Sequence, residues 1–359
     1  NGPGYPLVIA LATMFHAPLI AITMLNALFL IGAIIFFYNT IRIYLKPLPS
    51  ICISYLLGLY PPLLKYITGI ISESFVLFLI CGFLYFYVRF YRKESKQKRN
   101  IILTVFFLCT LALTKVIFGY VILSGILFYL VLFFFKRSTK VKYSILILLG
   151  SLTLCTPYLL YTYNATGKLF LWGTGGGEIL YWRTTPFPNE YGDWISTDVV
   201  LGNTKHEHFE IASLSENHRK FIESLEPYSY VQRDSIFKVE AFKNMKQYPT
   251  KYIKNTFASA SRLFFNYPYS YTPQKITTYF YIVPNMFLLF FLLSSIYLAI
   301  RNPAKIPFEI RFIGVLALTF MAGLTLLNGT VRNLTPCIPL LLFTIVFIHK
   351  KLITIKMIA

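Results

Sequence analysis

Long apolar blocks separated by short basic loops dominate this chain, and they restrict its fold more than any other feature. Only 13% of its 359 residues are charged, against about a quarter in a soluble domain, and 56% are hydrophobic. A block of about 20 mainly apolar residues is long enough to cross a bilayer as a helix. The sequence therefore predicts an all-α polytopic membrane protein.

The apolar blocks number nine, and each is a candidate transmembrane helix. They cover roughly residues 18–43, 48–64, 71–90, 101–115, 117–135, 142–162, 278–300, 310–328 and 333–349. A single helix over 101–135 would be about 52 Å long, too long for one crossing, so we expect a hairpin that turns at Lys115. Residues 5–15 are too short to span, and we expect them to form a helix at the membrane surface.

The distribution of Lys and Arg predicts the orientation of these helices. Basic clusters, for example at 89–99 and 136–142, occupy every second loop between the nine blocks. Since cytoplasmic loops are enriched in basic residues, we place these loops on the cytoplasmic side. The formal net charge of +20 is thereby explained by topology, and no nucleic-acid partner is expected. Glu73, Lys115 and Arg332 then face the non-cytoplasmic side.

The segment 164–277 differs in composition from the rest of the chain. It holds 11 of the 14 acidic residues and all three tryptophans. We predict transmembrane helices with an N-terminal interfacial helix over 1–163, a large non-cytoplasmic loop region over 164–277, and C-terminal transmembrane helices over 278–359. Apolar residues at helical spacing in the second half of the loop region predict one or two amphipathic helices there.

Outside that segment only three acidic residues remain, Glu73, Glu94 and Glu309. Glu94 and Glu309 fall in basic cytoplasmic loops, where we expect solvated side chains. Glu73 falls at the outer membrane boundary, where a carboxylate is costly unless it faces a cavity or a partner. The alternative is a favourable interaction with its own helix N-terminus, worth under about 1 kcal/mol. Position alone does not decide between these two interpretations.

The cations on the same side, Lys115 and Arg332, also allow two interpretations. Taken singly, each is a long side chain whose charged end can extend to the membrane–water interface. Taken together, the two cations could bind a lipid phosphate. The turn "GTGGGE", which contains Gly176 and Gly177, fits either a phosphate cradle or a flexible turn. It lacks the Lys-Ser/Thr of a P-loop.

Metal-binding patterns are weak in this sequence. His206 and His208 flank Glu207 in "KHEHFE", but two ligands in a polar loop make a poor metal site. The five cysteines are scattered, without the spacing of metal ligands. No metal site is predicted, although a divalent metal cofactor stays an open alternative.

Six stretches resemble, in order, motifs of one family of membrane enzymes. "NGPGYPLVIALATMF" resembles "PPGYPLFLALLY", "YLLGLYPPLLKYITGIISESFVLFL" resembles "LYPPLLYYSGLLLSEPLFLFL", and "LALTKVIFGYVIL" resembles "LAALTRPVLLLLP". "TPYLLYTYNATGKLFLWGTGGGEILYW" resembles "LPWLLRNYRVFGRFVPLSTNGGLNLYL", "FKNMKQYPTKYIKN" resembles a helix ending in "HPGRYL", and "VRNLTPCIPLLL" resembles "RYLLPLLPLLL". This is the glycosyltransferase family 39-like group of the GT-C superfamily, related to protein O-mannosyltransferases and lipid A aminoarabinose transferases.

The resemblance covers almost the whole chain and implies a GT-C fold and a mechanism. A sugar would pass from a polyprenyl-phosphate donor to an acceptor hydroxyl of a lipid, glycan or protein on the non-cytoplasmic face. The resemblance assigns general-base catalysis to Glu73. It assigns the donor phosphate to Lys115, Arg332 and Lys65. It assigns the substrate cavity to Tyr5, Tyr60, Gly176 and Gly177.

Two departures from the family pattern matter. The family's principal catalytic carboxylate precedes the "PPGYPL" segment, whereas here no acidic residue precedes Glu73. We therefore expect a fragment that lacks the family's first helix and catalytic loop and is inactive by itself. The second departure is Tyr161-Thr162, where the family often has Arg-Asn.

Rival functions are a polysaccharide polymerase or ligase, which shares the large external loop, and a membrane transporter or flippase. The ordered motifs argue against the first, and the lack of internal repeats argues against the second. Membrane lipids are expected partners. The abundance of Lys, Ile, Asn, Phe and Tyr suggests an AT-rich bacterial genome, and hence the inner membrane.

Overall fold

The chain is helical throughout the part that the structure describes. The computed structural model describes residues 2–93, 96–203, 211–271, 273–274 and 276–353, except for the side chains of Leu19, Lys65, Tyr66, Ile211 and Thr277. Within these ranges there are α-helices and short 3-10 turns but no β-strand. The predicted all-α class is confirmed.

The helices follow one another closely along the chain. The first nine are α1 (Gly4–Met14), α2 (Leu19–Arg42), α3 (Pro47–Gly58), α4 (Pro61–Tyr66), α5 (Glu73–Tyr91), α6 (Gln97–Thr114), α7 (Ile117–Phe135), α8 (Thr139–Leu154) and α9 (Thr156–Thr166). The others are α10 (Gly176–Arg183), α11 (Thr197–Leu201), α12 (Ile211–Glu223), α13 (Tyr230–Gln247), α14 (Pro249–Phe265), α15 (Tyr279–Arg301), α16 (Phe308–Leu326), α17 (Val331–Leu334) and α18 (Ile338–Leu352).

Two compact units divide the chain. The first unit contains Asn1–Asn164, Met286–Met321 and Thr335–Ala359, and the second contains Ala165–Asn285 and Ala322–Leu334.

Six helical spans in the described ranges are long and apolar enough to cross a membrane, and α8 with α9 gives a seventh if the pair, bent by 47°, counts as one. The chain is therefore a multi-pass integral membrane protein. The expectation of about nine spans was too high. Region 48–64 is divided between α3 and the short α4, which begins at Pro61, and 101–115 lies in α6, whose first turn is polar.

Helix α5 is the central helix of the first unit. In the most apolar 18-residue stretch of α5, 78% of the residues are buried, against 28% in the corresponding stretch of α2 and 33% in that of α7. Gly82 of α5 allows the ring of Phe107 on α6 to pack closely, since a Cβ there would lie 2.4 Å from that ring. Small residues commonly permit such close approach between membrane helices. Glu73, the first residue of α5, is thus fixed by a well-packed helix.

The expected solvation of Glu309 was wrong. Only 4% of this residue is exposed, and its Oε1 lies 3.5 Å from the Tyr44 hydroxyl. The basic sequence around Glu309 did not reveal that α16 begins inside the first unit. The expected hairpin at Lys115 is confirmed, because α6 ends at Thr114 and α7 begins at Ile117.

The second unit has its own apolar core, formed by α10 to α13. Tyr181, Trp182, Val200, Leu214 and Phe237 are among its buried members. Three helices, α12 to α14, occupy the region for which one or two amphipathic helices were predicted. Helix α13 begins with a capping box, in which Ser229 and Gln232 satisfy backbone donors.

Candidate functional site

A buried ion pair joins the start of α5 to the turn between α6 and α7. The Nζ atom of Lys115 lies 3.1 Å from Oε1 of Glu73. The Glu73 side chain is fully buried and that of Lys115 is 12% exposed. Burying two charges costs several kcal/mol per ion in desolvation, and their attraction offsets this cost only when the geometry is good. Glu73 is therefore more than a helix cap, since it has a specific cationic partner.

The N-terminal segment is pressed against the turn that carries Lys115. The N–H of Gly2 donates to the carbonyl of Thr114 at 3.2 Å. A Cβ on Gly2 would lie 2.0 Å from the carbonyl oxygen of Leu113, and one on Gly4 would lie 2.3 Å from Oγ1 of Thr114. Only glycine fits this close approach, so the "NGPGY" sequence serves to dock α1 beside Lys115.

Tyr5 and Asn26 connect this segment to the loop that precedes Glu73. The Tyr5 hydroxyl donates to Oδ1 of Asn26 at 2.9 Å, and Nδ2 of Asn26 donates to the carbonyl of Gly69 at 2.8 Å. Burial raises the pKa of the Tyr5 phenol, the bond to Asn26 lowers it, and the nearby charge of Glu73 raises it again. The chain thus surrounds Glu73 with groups from α1, α2 and the α6–α7 turn.

The other residues assigned by resemblance fall in several places. Tyr60 is buried at the start of α4, in the first unit. Lys65 belongs to α4, and its side chain lies outside the described part of the structure. Arg332 is half-buried in α17 and, like Gly176 and Gly177, belongs to the second unit. The roles of these residues stay predictions.

The glycine-rich turn does not offer its backbone donors to a phosphate. The N–H groups of Gly175 and Gly177 both donate to Oδ1 of Asp234, at 2.8 and 2.7 Å. An acidic side chain from α13 thus occupies the position that a phosphate would take at the start of α10. A Cβ on Gly177 would lie 1.9 Å from the Asp234 carbonyl oxygen, so this glycine lets the two helices meet.

Two buried arginines hold the loops of the second unit. Arg183 donates to the carbonyls of Leu327 and Asn255 and to the Ser259 hydroxyl, at 2.6 to 2.9 Å. Arg262 donates to the carbonyls of residues 191, 192 and 268. Burial, with the nearby charge of Arg262, lowers the pKa of Arg183 to about 9. Both guanidinium groups bind backbone carbonyl oxygens.

A buried carboxylate, Glu190, lies at the centre of another group of polar side chains in the second unit. His218 Nε2 lies 2.9 Å from Oε1 of Glu190, and the hydroxyls of Thr185 and Tyr271 donate to the carboxylate. Burial alone would raise the pKa of Glu190, but these bonds and the His218 charge lower it. His218 also contacts the Tyr181 hydroxyl at 2.8 Å. With Glu190 about 1% exposed, the cluster is a structural connection.

Sequence reasoning missed Asn26, Arg183, Glu190, His218 and Asp234. Asn26 had a usable signal, because an amide inside a membrane helix requires a hydrogen-bond partner. The other four lie in a polar segment, where charged residues are expected to be solvated, and nothing in their spacing reveals burial.

Comparisons with protein-family models, curated proteins and solved structures give no match for this chain. Among the described residues, no group of three or more His, Cys, Asp or Glu side chains is placed to hold a metal ion. His206, Glu207 and His208 lie outside the described residues.

Proposed function

We propose that the protein is a membrane glycosyltransferase, which moves a sugar from a polyprenyl-phosphate donor to an acceptor hydroxyl on the non-cytoplasmic face. The observation that carries this proposal is the buried Glu73–Lys115 pair, a carboxylate and an ammonium held 3.1 Å apart where three helices end or begin. The six sequence stretches that resemble the GT-C family also support it, and they are the source of the roles given to the two residues.

The pair supplies two groups that the proposed reaction would use. Glu73 would accept the proton of the acceptor hydroxyl as that oxygen attacks the anomeric carbon. The bond between this carbon and the phosphate oxygen then breaks, and the polyprenyl phosphate leaves with the electron pair. Lys115 would balance the charge of the leaving phosphate, since ammonium groups are common phosphate partners. Positioned acid–base catalysis of this kind contributes about 100- to 10,000-fold.

Donor binding would exchange the partners of the two charged groups. In the structure Lys115 contacts Glu73. A donor phosphate that binds the ammonium competes for it, and the carboxylate is then available as a base. Lys65 is proposed as a further phosphate ligand, and Tyr60 as part of the sugar cavity. A bacterial inner membrane is the proposed location.

The proposal is tested by following the donor. Membranes that contain the natural gene product are incubated with a panel of radiolabelled polyprenyl-phosphate sugars, and release of the sugar is measured. We expect turnover of at least one donor and a loss of at least about 100-fold in Glu73→Gln. The matched control is Glu240→Gln, which removes a partly exposed carboxylate paired with Lys243 and leaves turnover unchanged. Absence of turnover for every donor contradicts the proposal.

One observation favours a second candidate, a transporter or flippase. The chain bends by 47° between α8 and α9, at Cys155. Transporters often use interrupted helices near their substrate sites, and the prediction of a single span over 142–162 did not include this break. Proteoliposomes loaded with a fluorescent lipid-linked sugar distinguish the two functions. Transfer across the bilayer without chemical turnover supports the transporter, whereas turnover supports the enzyme.

A further inference from the structure

A cleft of about 510 Å³ opens in the second unit, between α10, α11, α12 and α13. Its size falls within the range of about 300–1,000 Å³ that is typical of small-molecule sites. The buried side chains of Ile222, Leu225 and Phe237 form an apolar part of its lining. Polar side chains complete it, so the cleft combines an apolar surface with hydrogen-bonding groups.

The walls of this cleft are held in place by the protein itself. Asp234 binds the N–H groups of Gly175 and Gly177, which fixes the glycine-rich turn at the rim. Arg233 donates to the carbonyls of Tyr228 and Glu226 at 2.7 and 2.5 Å. A ligand therefore meets a site that is already formed, which lowers the entropy cost of binding.

Charge restricts which ligand the cleft can accept. Four carboxylates line it, those of Glu178, Asp198, Glu226 and Asp234, against the single cation Arg233. Among the described residues none of the four carboxylates forms a salt bridge. Burial raises the pKa of Glu178, and the charges of Asp234 and Asp198 raise it further, although a bond to Trp194 lowers it. The cleft thus disfavours anions in a chain whose net charge is +20.

The arrangement of the carboxylates also argues against a metal ion as the occupant. No group of three acidic, His or Cys side chains in the described part of the chain converges as metal ligands. The carboxylates are instead distributed around a space large enough for an organic molecule. This lining matches a ligand that has hydroxyl groups to donate to the carboxylates and a ring face to pack on the exposed ring of Tyr230.

From this combination we infer that the cleft binds the sugar rings of a carbohydrate that carries no negative charge. The sugar hydroxyls donate to Glu178 and Asp198, and the less polar face of a ring contacts Tyr230. Sugar binding in the cleft does not depend on the transferase activity. The identity of the sugar does rest on the proposed function: if that function holds, the occupant is the acceptor glycan, because the carboxylates would repel a phosphate-linked donor.

Ligand-detected NMR on the purified full chain in detergent tests this inference. The probes are maltose, N,N′-diacetylchitobiose, glucosamine, glucuronic acid and glucose 1-phosphate. We expect saturation transfer to at least one of the first three probes, and dissociation constants at least 10-fold higher for the two anionic ones. Absence of transfer to the first three, or equal affinity for the anionic sugars, overturns the inference.

Variants then locate the binding. Glu178→Gln and Asp198→Asn keep the side-chain shape and should each raise the dissociation constant at least 10-fold. Glu240→Gln, on α13 and outside the cleft lining, is the matched control and should leave it unchanged. A thermal unfolding midpoint equal to that of wild type shows that a variant is folded. If either cleft variant is not folded, Asn203→Ala, which changes another residue of the lining, is tested in its place. Unchanged affinity in folded cleft variants refutes the site. These measurements need no donor, so their failure is distinct from failure of the proposed function.

Discussion

Replacing one member of the Glu73–Lys115 pair removes the partner of a charge that stays buried. At 3.1 Å and an effective dielectric constant of 20, the attraction between the two charges is about 5 kcal/mol, much of which offsets their lost hydration. Removal of one partner from a buried pair costs about 3–5 kcal/mol, whereas replacement of both by neutral groups costs much less per residue. The two substitutions should therefore be strongly non-additive.

The perturbations are Glu73→Gln, Lys115→Met and the double variant. We expect each single variant to lose about 3 kcal/mol of unfolding free energy and the double variant to lose about the same. The coupling energy is then about 3 kcal/mol, near the upper end for residues in contact. Equilibrium unfolding in mixed detergent micelles, followed by circular dichroism, gives the four values that the cycle requires.

The matched control is the pair Glu240–Lys243, whose Oε1–Nζ distance is also 3.1 Å. Because both of these side chains are solvent-accessible, their coupling should be under about 1 kcal/mol. Additivity within about 0.5 kcal/mol for Glu73 and Lys115 would refute the reasoning, since it would show that the two charges do not interact in the folded protein.

Three further predictions concern the second unit. Because hydrogen bonds lower the pKa of Glu190 in the folded state, its carboxylate should stabilise the fold fully above a pH of about 4.3. That contribution should be lost as the pH falls through the lowered pKa. The near-ultraviolet circular dichroism signal of Glu190→Gln should therefore be less sensitive to acid than that of wild type. Gly177→Ala should lower the thermal midpoint through its clash with Asp234, whereas Gly176→Ala, with open space around it, should not. Arg183→Lys should also lower that midpoint, because the donors of an ammonium share one nitrogen and cannot reach the separated acceptors that the three guanidinium nitrogens bind. An unchanged midpoint would contradict this.

The membrane class and most helices follow from the sequence because hydropathy is a sum over neighbouring residues. A helix over roughly 71–90 was predicted in this way, and α5 covers Glu73–Tyr91. The length of the apolar block 101–135 and its single charge predicted the hairpin at Lys115, which the structure confirms. The span count was overestimated because hydropathy does not reveal where a helix is interrupted. Region 48–64 contains Pro61, which starts a new helix and divides the block.

The pairing of Glu73 with Lys115 lay beyond the sequence because it joins residues 42 positions apart. The sequence showed two charged residues expected on one side of the membrane, but not that they touch. Likewise, "GTGGGE" permits a phosphate cradle, and only the position of Asp234 on a separate helix shows that its donors are occupied. Long-range contacts of this kind depend on the whole packing arrangement.

Donor turnover by the folded Glu73→Gln/Lys115→Met variant tests the central claim most directly. This variant removes the two proposed catalytic groups without leaving a lone buried charge, and the assay is run below its unfolding midpoint so that lost activity does not reflect lost folding. The natural gene product that contains this sequence is assayed with the polyprenyl-phosphate sugar that wild type consumes. The account predicts that turnover falls at least about 100-fold while the unfolding midpoint stays close to those of the single variants. Turnover within about threefold of wild type would show that the pair only stabilises the fold.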